Sequence, residues 1–532
     1  MPITLLPYQE LTYFSSLIKD YLLEKGEVQD LYHRFPHLNQ FQAQINEKTT
    51  QYSADTRDIL SVRLMKQYDK IKTSGATREK ILQLKKGNTF TITTGHQLNL
   101  FTGPLYFLYK IISTINLCDQ LKTHYPEYEF VPVYWMATED HDFEEINYFN
   151  LNGKKFRWNK DATGAVGRLS TEGLAEVLDL FKAEVGTTPF AEKLTELFED
   201  AYLKHTTLTE ATRYLANKLF GAYGLVIVDG DDAELKRLFV PYIKEELLEQ
   251  SAHKTVSKSA AQLDEKGYNV QVNPREINLF YLIDGLRERI EKIENRFIVV
   301  DHDMQWTQEQ ILQEVEEHPE RFSPNVILRP LYQEVILPNL CYIGGGGELA
   351  YWLELKAYFE SQQIIFPMLL LRNSALVVSG KQQKKLDKLN LEIKDTFLRQ
   401  HELINKKVRQ ISNIDIDFSD QKEHLRQQFE ALYDLAKKTD ASFVGAVKAQ
   451  EVKQLNGLDH LEKRLLTAQK RKLKDQVNRM VEIQRELFPN QNLQERVVNF
   501  SELYLEYAED LILKLKENLQ PLNTAFTVLN LR

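Results

Sequence analysis

Three stretches of the chain carry residues capable of chemistry at places where β-type runs end. The first is TITTGHQLNLFTGPLYFLYK, residues 91 to 110. An alternating run closes at Thr94, and Gly95, His96 and Gln97 follow before an apolar helical pattern begins. Glycine lets the backbone approach a ligand, and N–H groups at a helix start attract anions. His96 in that turn is a candidate donor to a phosphate, with Thr94, Gly95 and Gln97 around it. A tight turn beside a surface histidine would give the same spacing.

The second stretch is MATEDHDFEEIN, residues 136 to 147, directly after the apolar run FVPVYWM. Glu139, Asp140, His141 and Asp142 stand in a row. Carboxylates there can hold a substrate ammonium or Mg²⁺, or serve as a base beside the imidazole. Helix capping also favours acidic residues, but it does not need so many. The third stretch is RPLYQEVILPNLCYIGGGGELAYWLELK, residues 329 to 356. Gly344, Gly345, Gly346 and Gly347 join an apolar run to a helical pattern that Glu348 opens, with Arg329 and Gln333 as polar neighbours. It is not a Walker A loop, because no Gly-Lys-Ser/Thr follows; a flexible turn is the alternative. Asp229, Asp231 and Asp232 read mainly as helix capping. Cys341 and Cys118 read as buried thiols. No C-x-x-C or H-E-x-x-H occurs, so no metal ligands are assigned.

These clusters need elements to position them. The runs TFTITT (89–94), FVPVYWM (130–136), GLVIVDG (224–230), RFIVVD (296–301), NVILRP (325–330) and IIFPMLLL (364–371) alternate with helical patterns. Several are near-continuous apolar runs flanked by helical segments, which indicates a doubly wound α/β core. That core spans residues 1–380, with insertions at about 150–220 and 235–295. From Lys381 to Phe488 there is no proline, and apolar residues recur at three/four spacing. Leu458, Leu461, Leu465 and Ala468 form one such seam, which Leu473, Val477 and Met480 continue after an offset. An α-helical coiled-coil arm over 381–488 is expected, then a helical segment over 489–532 that returns to the core.

The chain has 532 residues and a net charge of −9, which argues against general nucleic-acid binding. Residues 381–480 carry 22 Lys+Arg against 15 Asp+Glu, so the acidity lies elsewhere. Two cysteines cannot make a disulfide framework, which fits a reducing cytoplasmic setting. No signal peptide and no spanning helix are expected, and hence no membrane partner.

Taken in order, TTGHQLNLFTGPLY, VPVYWMATEDHDFEEIN and RPLYQEVILPNLCYIGGGGELAYWLELK resemble the matching blocks of the BshC family, the cysteine ligases of bacillithiol biosynthesis. The resemblance runs along the whole chain, including FPNQNLQER at 488–496. It implies a Rossmann-like core of the HIGH-motif nucleotidyltransferase type, with connecting insertions and a coiled coil that serves dimerisation. It also implies joining L-cysteine to the amine of glucosaminyl malate, with ATP activating the carboxylate and Mg²⁺ accompanying ATP. The HIGH-like positions read Thr93-Thr94-Gly95-His96, so the first histidine is replaced by Thr93. SGKQQKK, 379–385, is the nearest counterpart of the lysine-rich KMSKS loop. On this reading His96, Asp140, His141 and Asp142 do the chemistry. Thr94, Gly95, Gln97, Glu139, Gly344 to Gly347 and Glu348 bind nucleotide or substrate. The remaining alternatives are another amide ligase of this architecture and a nucleotide-binding coiled-coil scaffold.

Overall fold

Thr89–His96, Glu129–Met136, Val226–Asp229, Asn339–Gly344 and Met368–Leu371 (β1 to β5) are rich in β-branched, aromatic and aliphatic residues and almost wholly buried. Strands covered on both faces have this character. In the computed structural model, which describes residues 3–531, they form one sheet. Every pairing is parallel, and the order is β5-β4-β1-β2-β3. Strand order therefore reverses between β1 and β4, and a crevice opens at such a point beyond the carboxyl ends.

Helix Tyr106–His124 (α1) returns the chain from β1 to β2. Its Leu117 and Leu121 pack with Phe90, Ile92, Phe130 and Ile343 in the core under the sheet. Lys48 and Glu334 form a buried ion pair at 3.1 Å. Asn339 donates to Glu334 at 2.6 Å and accepts from Thr93 at 2.8 Å, so the pair is hydrogen-bonded into the β1–β4 junction. A buried pair offsets its desolvation only with such additional partners.

The run NVILRP is not a strand. Asn325 caps the backbone N–H groups of Ile327 and Leu328, and helix Leu328–Ile336 (α2) starts there. Pro330 lies in its first turn, where proline costs nothing. RFIVVD contributes Arg296–Val299 to a separate antiparallel sheet instead of the parallel one. Both runs are too short for periodicity to separate helix from strand, or core sheet from insertion. Helix Gly346–Trp352 (α3) follows β4 directly. The chain after β1 does not enter a helix at once, since Gln97–Leu105 intervene before α1.

Two units are distinguishable. One contains the sheet and is built from residues up to Leu376 with Gln494–Leu529. In it, Ile3–Pro7 pairs antiparallel with residues 525–529, and Asn116 of α1 donates to the carbonyls of Lys516 and Leu519 at 2.7 Å. The other is built mainly from Val377–Leu493. Its helices are Gln400–Ile411 (α4), Ser419–Ala436 (α5), Ala441–Lys472 (α6) and Lys474–Leu487 (α7). Phe429 and Ala436 of α5 meet Val447 of α6 in one cluster, and Val408, Leu466 and Val477 meet in another. Leu461 does not join the seam and is 53% exposed. A straight helix drifts against a heptad pattern, and the buried contact passes to Leu466.

Candidate functional site

The carboxyl ends of β1, β2, β4 and β5 surround a cavity of about 350 Å³. Gly95, His96 and Gln97 come from the end of β1, and Asp140 from the loop after β2. Gly345, Gly346, Gly347 and Glu348 come from the start of α3. His96 and Asp140 thus open onto one space. Four cationic side chains, Lys110, Arg329, Arg372 and Arg496, stand against the two carboxylates Asp140 and Glu348.

His96 ends β1 and does not lie in the first turn of a helix. Its Nδ1 is 2.7 Å from the carbonyl oxygen of Gln97. A carbonyl only accepts, so Nδ1 carries the proton and Nε2 of the neutral ring is an acceptor. Nε2 is buried and has no partner among the described residues. Burial, and then the Lys110 and Arg372 charges, hold the ring's pKa down at about 3 against the one opposing hydrogen bond, which Nδ1 donates to the Gln97 carbonyl. Donation to a phosphate, the role expected of His96, is therefore not open to the neutral ring. Tyr106 stacks on it at 5.3 Å and also carries the Arg372 guanidinium 5.1 Å from its centroid.

Asp140 accepts from Gln97 at 3.3 Å and from the His141 N–H at 2.9 Å. Burial pushes its carboxyl upward, but Arg329, Arg287 and these hydrogen bonds outweigh it, and the pKa is lowered. Asp140 stays an anion. Lys110, in the second turn of α1, donates to the Gly95 carbonyl at 2.7 Å and pairs with Glu348 at 2.5 Å. Glu348 also accepts from Tyr342 and from the Gly345 N–H, both at 2.8 Å. One lysine thus ties the end of β1 to the start of α3 across the switch point. Burial lowers its pKa, and Glu348 opposes that shift.

Several expected residues face away from the cavity. Thr94 donates to the Ile343 carbonyl at 2.7 Å, inside the sheet. Glu139 is buried against Lys236, and Gly344 is packed by Leu349 and Tyr342. His141 is half-exposed and accepts from Arg287 at 2.5 Å; Asp142 is more exposed still. Consecutive residues of a loop cannot all face one ligand, which explains why Asp140 alone does. Asp232 caps helix Ala233–Arg237, and Asp231 pairs with Arg168 at 2.7 Å. Cys341 and Cys118 are buried, and burial raises both thiols. Lys110, Arg372 and Arg496 were not among the expected site residues. A lysine within the apolar YFLYK pattern and an arginine right after MLLL were legible signals; Arg496 has none nearby.

Residues 1–373 match the family profile described as "Bacillithiol biosynthesis BshC, N-terminal Rossmann-like domain". Residues 375–531 match "Bacillithiol biosynthesis BshC, C-terminal coiled-coil domain". The chain belongs to the BshC family. A protein of Christiangramia forsetii named "Putative cysteine ligase BshC" is 61% identical over 99% of both chains. A Flavobacterium johnsoniae protein of the same name is 59% identical over the full length of both. A Bacillus cereus one is 28% identical over 94% of this chain and 95% of its own. That places this BshC chain among the ligases of bacillithiol biosynthesis. Among the described residues no helix is long and apolar enough to cross a membrane.

Proposed function

We propose that the chain joins the carboxyl group of L-cysteine to the amine of glucosaminyl malate, forming the amide of bacillithiol. The observation that carries this reading is the single cavity in which an ionised Asp140, a neutral His96 and a cluster of cations meet. An amide ligase must gather an ammonium, carboxylates and an activating anion in one place. Asp140, kept ionised by Arg329 and Arg287 despite its burial, suits the cysteine ammonium. Arg372 and Arg496 suit the malyl carboxylates or a phosphate.

ATP fits the donor set. The cavity has an excess of cations, and the buried Nε of Arg372 lacks a partner among the described residues. When bound, ATP would supply the leaving group that makes the cysteine carboxyl acylating. Gly345 to Gly347 at the start of α3, with Arg372, would hold its phosphates. Mg²⁺ accompanying those phosphates would need few protein ligands; no three-residue His/Cys/Asp/Glu metal cluster occurs among the described residues. An anion between Lys110 and Arg372 offsets charges that help keep His96 neutral, and so makes Nε2 more basic. His96 Nε2 is then the acceptor for the proton that the attacking amine loses. Two buried, unpaired thiols fit the cytoplasm. Apolar side chains exposed on α5 and α6 support a homodimer through the arm.

The test is turnover of cysteine, glucosaminyl malate and ATP by the full chain, with the product read by mass spectrometry. Bacillithiol should form. His96→Ala and Asp140→Ala should each abolish it without changing the circular dichroism spectrum. Product formed with ATP left out would remove ATP from the proposal, and full activity in either variant would remove that residue.

A further inference from the structure

Arg372 has five N–H donors, and three of them make hydrogen bonds that hold the guanidinium in place. Nη1 donates to the Asn373 carbonyl at 2.9 Å and to Ser374 Oγ at 3.2 Å. Nη2 donates to Glu495 Oε1 at 2.8 Å. Nε, buried at the cavity wall beside Gly345, has no partner among the described residues. The outer nitrogens thus anchor the guanidinium, and its Nε–H is left for a ligand. Glu495 is itself fully buried, and its second oxygen accepts from the Ala375 N–H at 2.9 Å. Arg372 and Ala375 lie where the chain leaves the sheet for the arm, and Glu495 lies where it returns, 123 positions after Arg372. Arg496, next in sequence, lines the same cavity.

We infer that Glu495 is a positioning residue of the active site: its carboxylate orients Arg372 so that Nε–H meets an anionic group of the substrate. The inference rests on the cavity being the ligase site. A carboxylate is required because only two acceptor oxygens on one group can hold both the arginine and the Ala375 N–H. Glutamine would turn an N–H toward one of those donors and leave the guanidinium without its counter-charge. With its charged anchor lost and only the Nη1 bonds to Asn373 and Ser374 left, Arg372 would shift from its aim, and binding would weaken while the bonds made and broken stay the same.

The test uses full-length Glu495→Gln, with Glu495→Asp as the variant that keeps the charge. A crystal structure of Glu495→Gln should show the Arg372 guanidinium displaced from the cavity wall. Steady-state kinetics should show KM for one anionic substrate raised tenfold or more, with kcat within threefold and KM for cysteine unchanged. A rise for glucosaminyl malate assigns Nε–H to a malyl carboxylate, and a rise for ATP assigns it to a phosphate. Glu495→Asp should recover part of that KM; if Glu495→Gln does not fold, Glu495→Asp should show an intermediate rise and a partial displacement. An unmoved guanidinium, or unchanged KM for both anionic substrates, overturns the inference. If the wild type does not ligate these substrates at all, the functional reading fails, and the position of Arg372 in the variant still decides the role of Glu495.

Discussion

At the scale of single residues, the site works by holding protonation states apart. His96 is kept neutral and Asp140 ionised within one cavity. For His96 this has a consequence for stability. Its pKa falls from 6.5 to about 3 on folding. Between those values the unfolded chain binds a proton that the folded chain does not, so acid favours unfolding. The contribution is intact above pH 6.5 and is lost progressively as pH drops toward 3, at roughly 1.4 kcal/mol per pH unit. His96→Asn removes that proton. Urea denaturation between pH 6.5 and 4 should show a stability slope shallower by about one proton than wild type, whatever the variant's stability at pH 7. Equal slopes would mean that the ring is protonated in the folded protein.

At the scale of elements, the loop after β1 carries the cost of presenting His96. Phe101, Thr102 and Gly103 are consecutive residues with φ of 47°, 69° and 62°. Residues in sparsely populated backbone regions cost on the order of 1–3 kcal/mol each and persist only when neighbours hold them. Here the Tyr202 hydroxyl oxygen accepts from the Phe101 N–H at 2.8 Å, and Asn499 donates to the Phe101 and Gly103 carbonyls at 2.8 and 2.6 Å. The Phe101 ring sits among Phe149, Phe181, Phe198 and Phe500. Asn499→Ala leaves two buried carbonyls unpaired and should cost about 2–4 kcal/mol by urea unfolding, with ligase activity reduced further than the folded fraction explains. Gly103→Ala should do likewise, because its Cβ would lie 2.7 Å from the Asn99 Cβ. Neither effect is legible in the local sequence: GHQLNLFTGP shows a turn, but its supports are tens to hundreds of residues away. The parallel strands were legible because FVPVYWM and GLVIVDG are near-continuous apolar runs and TFTITT alternates threonine with Phe90 and Ile92, all between helical patterns. NVILRP was not, since its helix starts through the Asn325 cap, which a six-residue apolar run conceals.

At the scale of the whole molecule, the arm differs in kind from the sheet-bearing unit. It is basic in an acidic chain, and helix α6 runs 32 residues with only Val447, Leu466 and Gln469 buried. Leu432 and Leu435 near the end of α5 are 42% and 55% exposed, and Phe443 at the start of α6 is 44% exposed. These three flank the turn between the two helices. Val452 and Leu461 further along α6 are also about half exposed. Single exposed apolar residues are ordinary, whereas a run of them on a long, thin helical pair leaves an apolar surface that a second copy of the same surface can cover. A homodimer through the arm, as proposed above, would use these residues of α5 and α6 as its contact. Replacing Leu435 and Phe443 together with glutamate would place charges in that contact with no partner, which costs several kcal/mol per desolvated ion. Sedimentation velocity should give the wild type at twice the chain mass and the double variant at the chain mass of 62.2 kDa. Both should share the same far-ultraviolet spectrum, because neither residue is needed for the buried clusters of the arm. A wild type that sediments as a single chain would show that the exposed residues pair with nothing, and an unshifted double variant would place the dimer contact elsewhere.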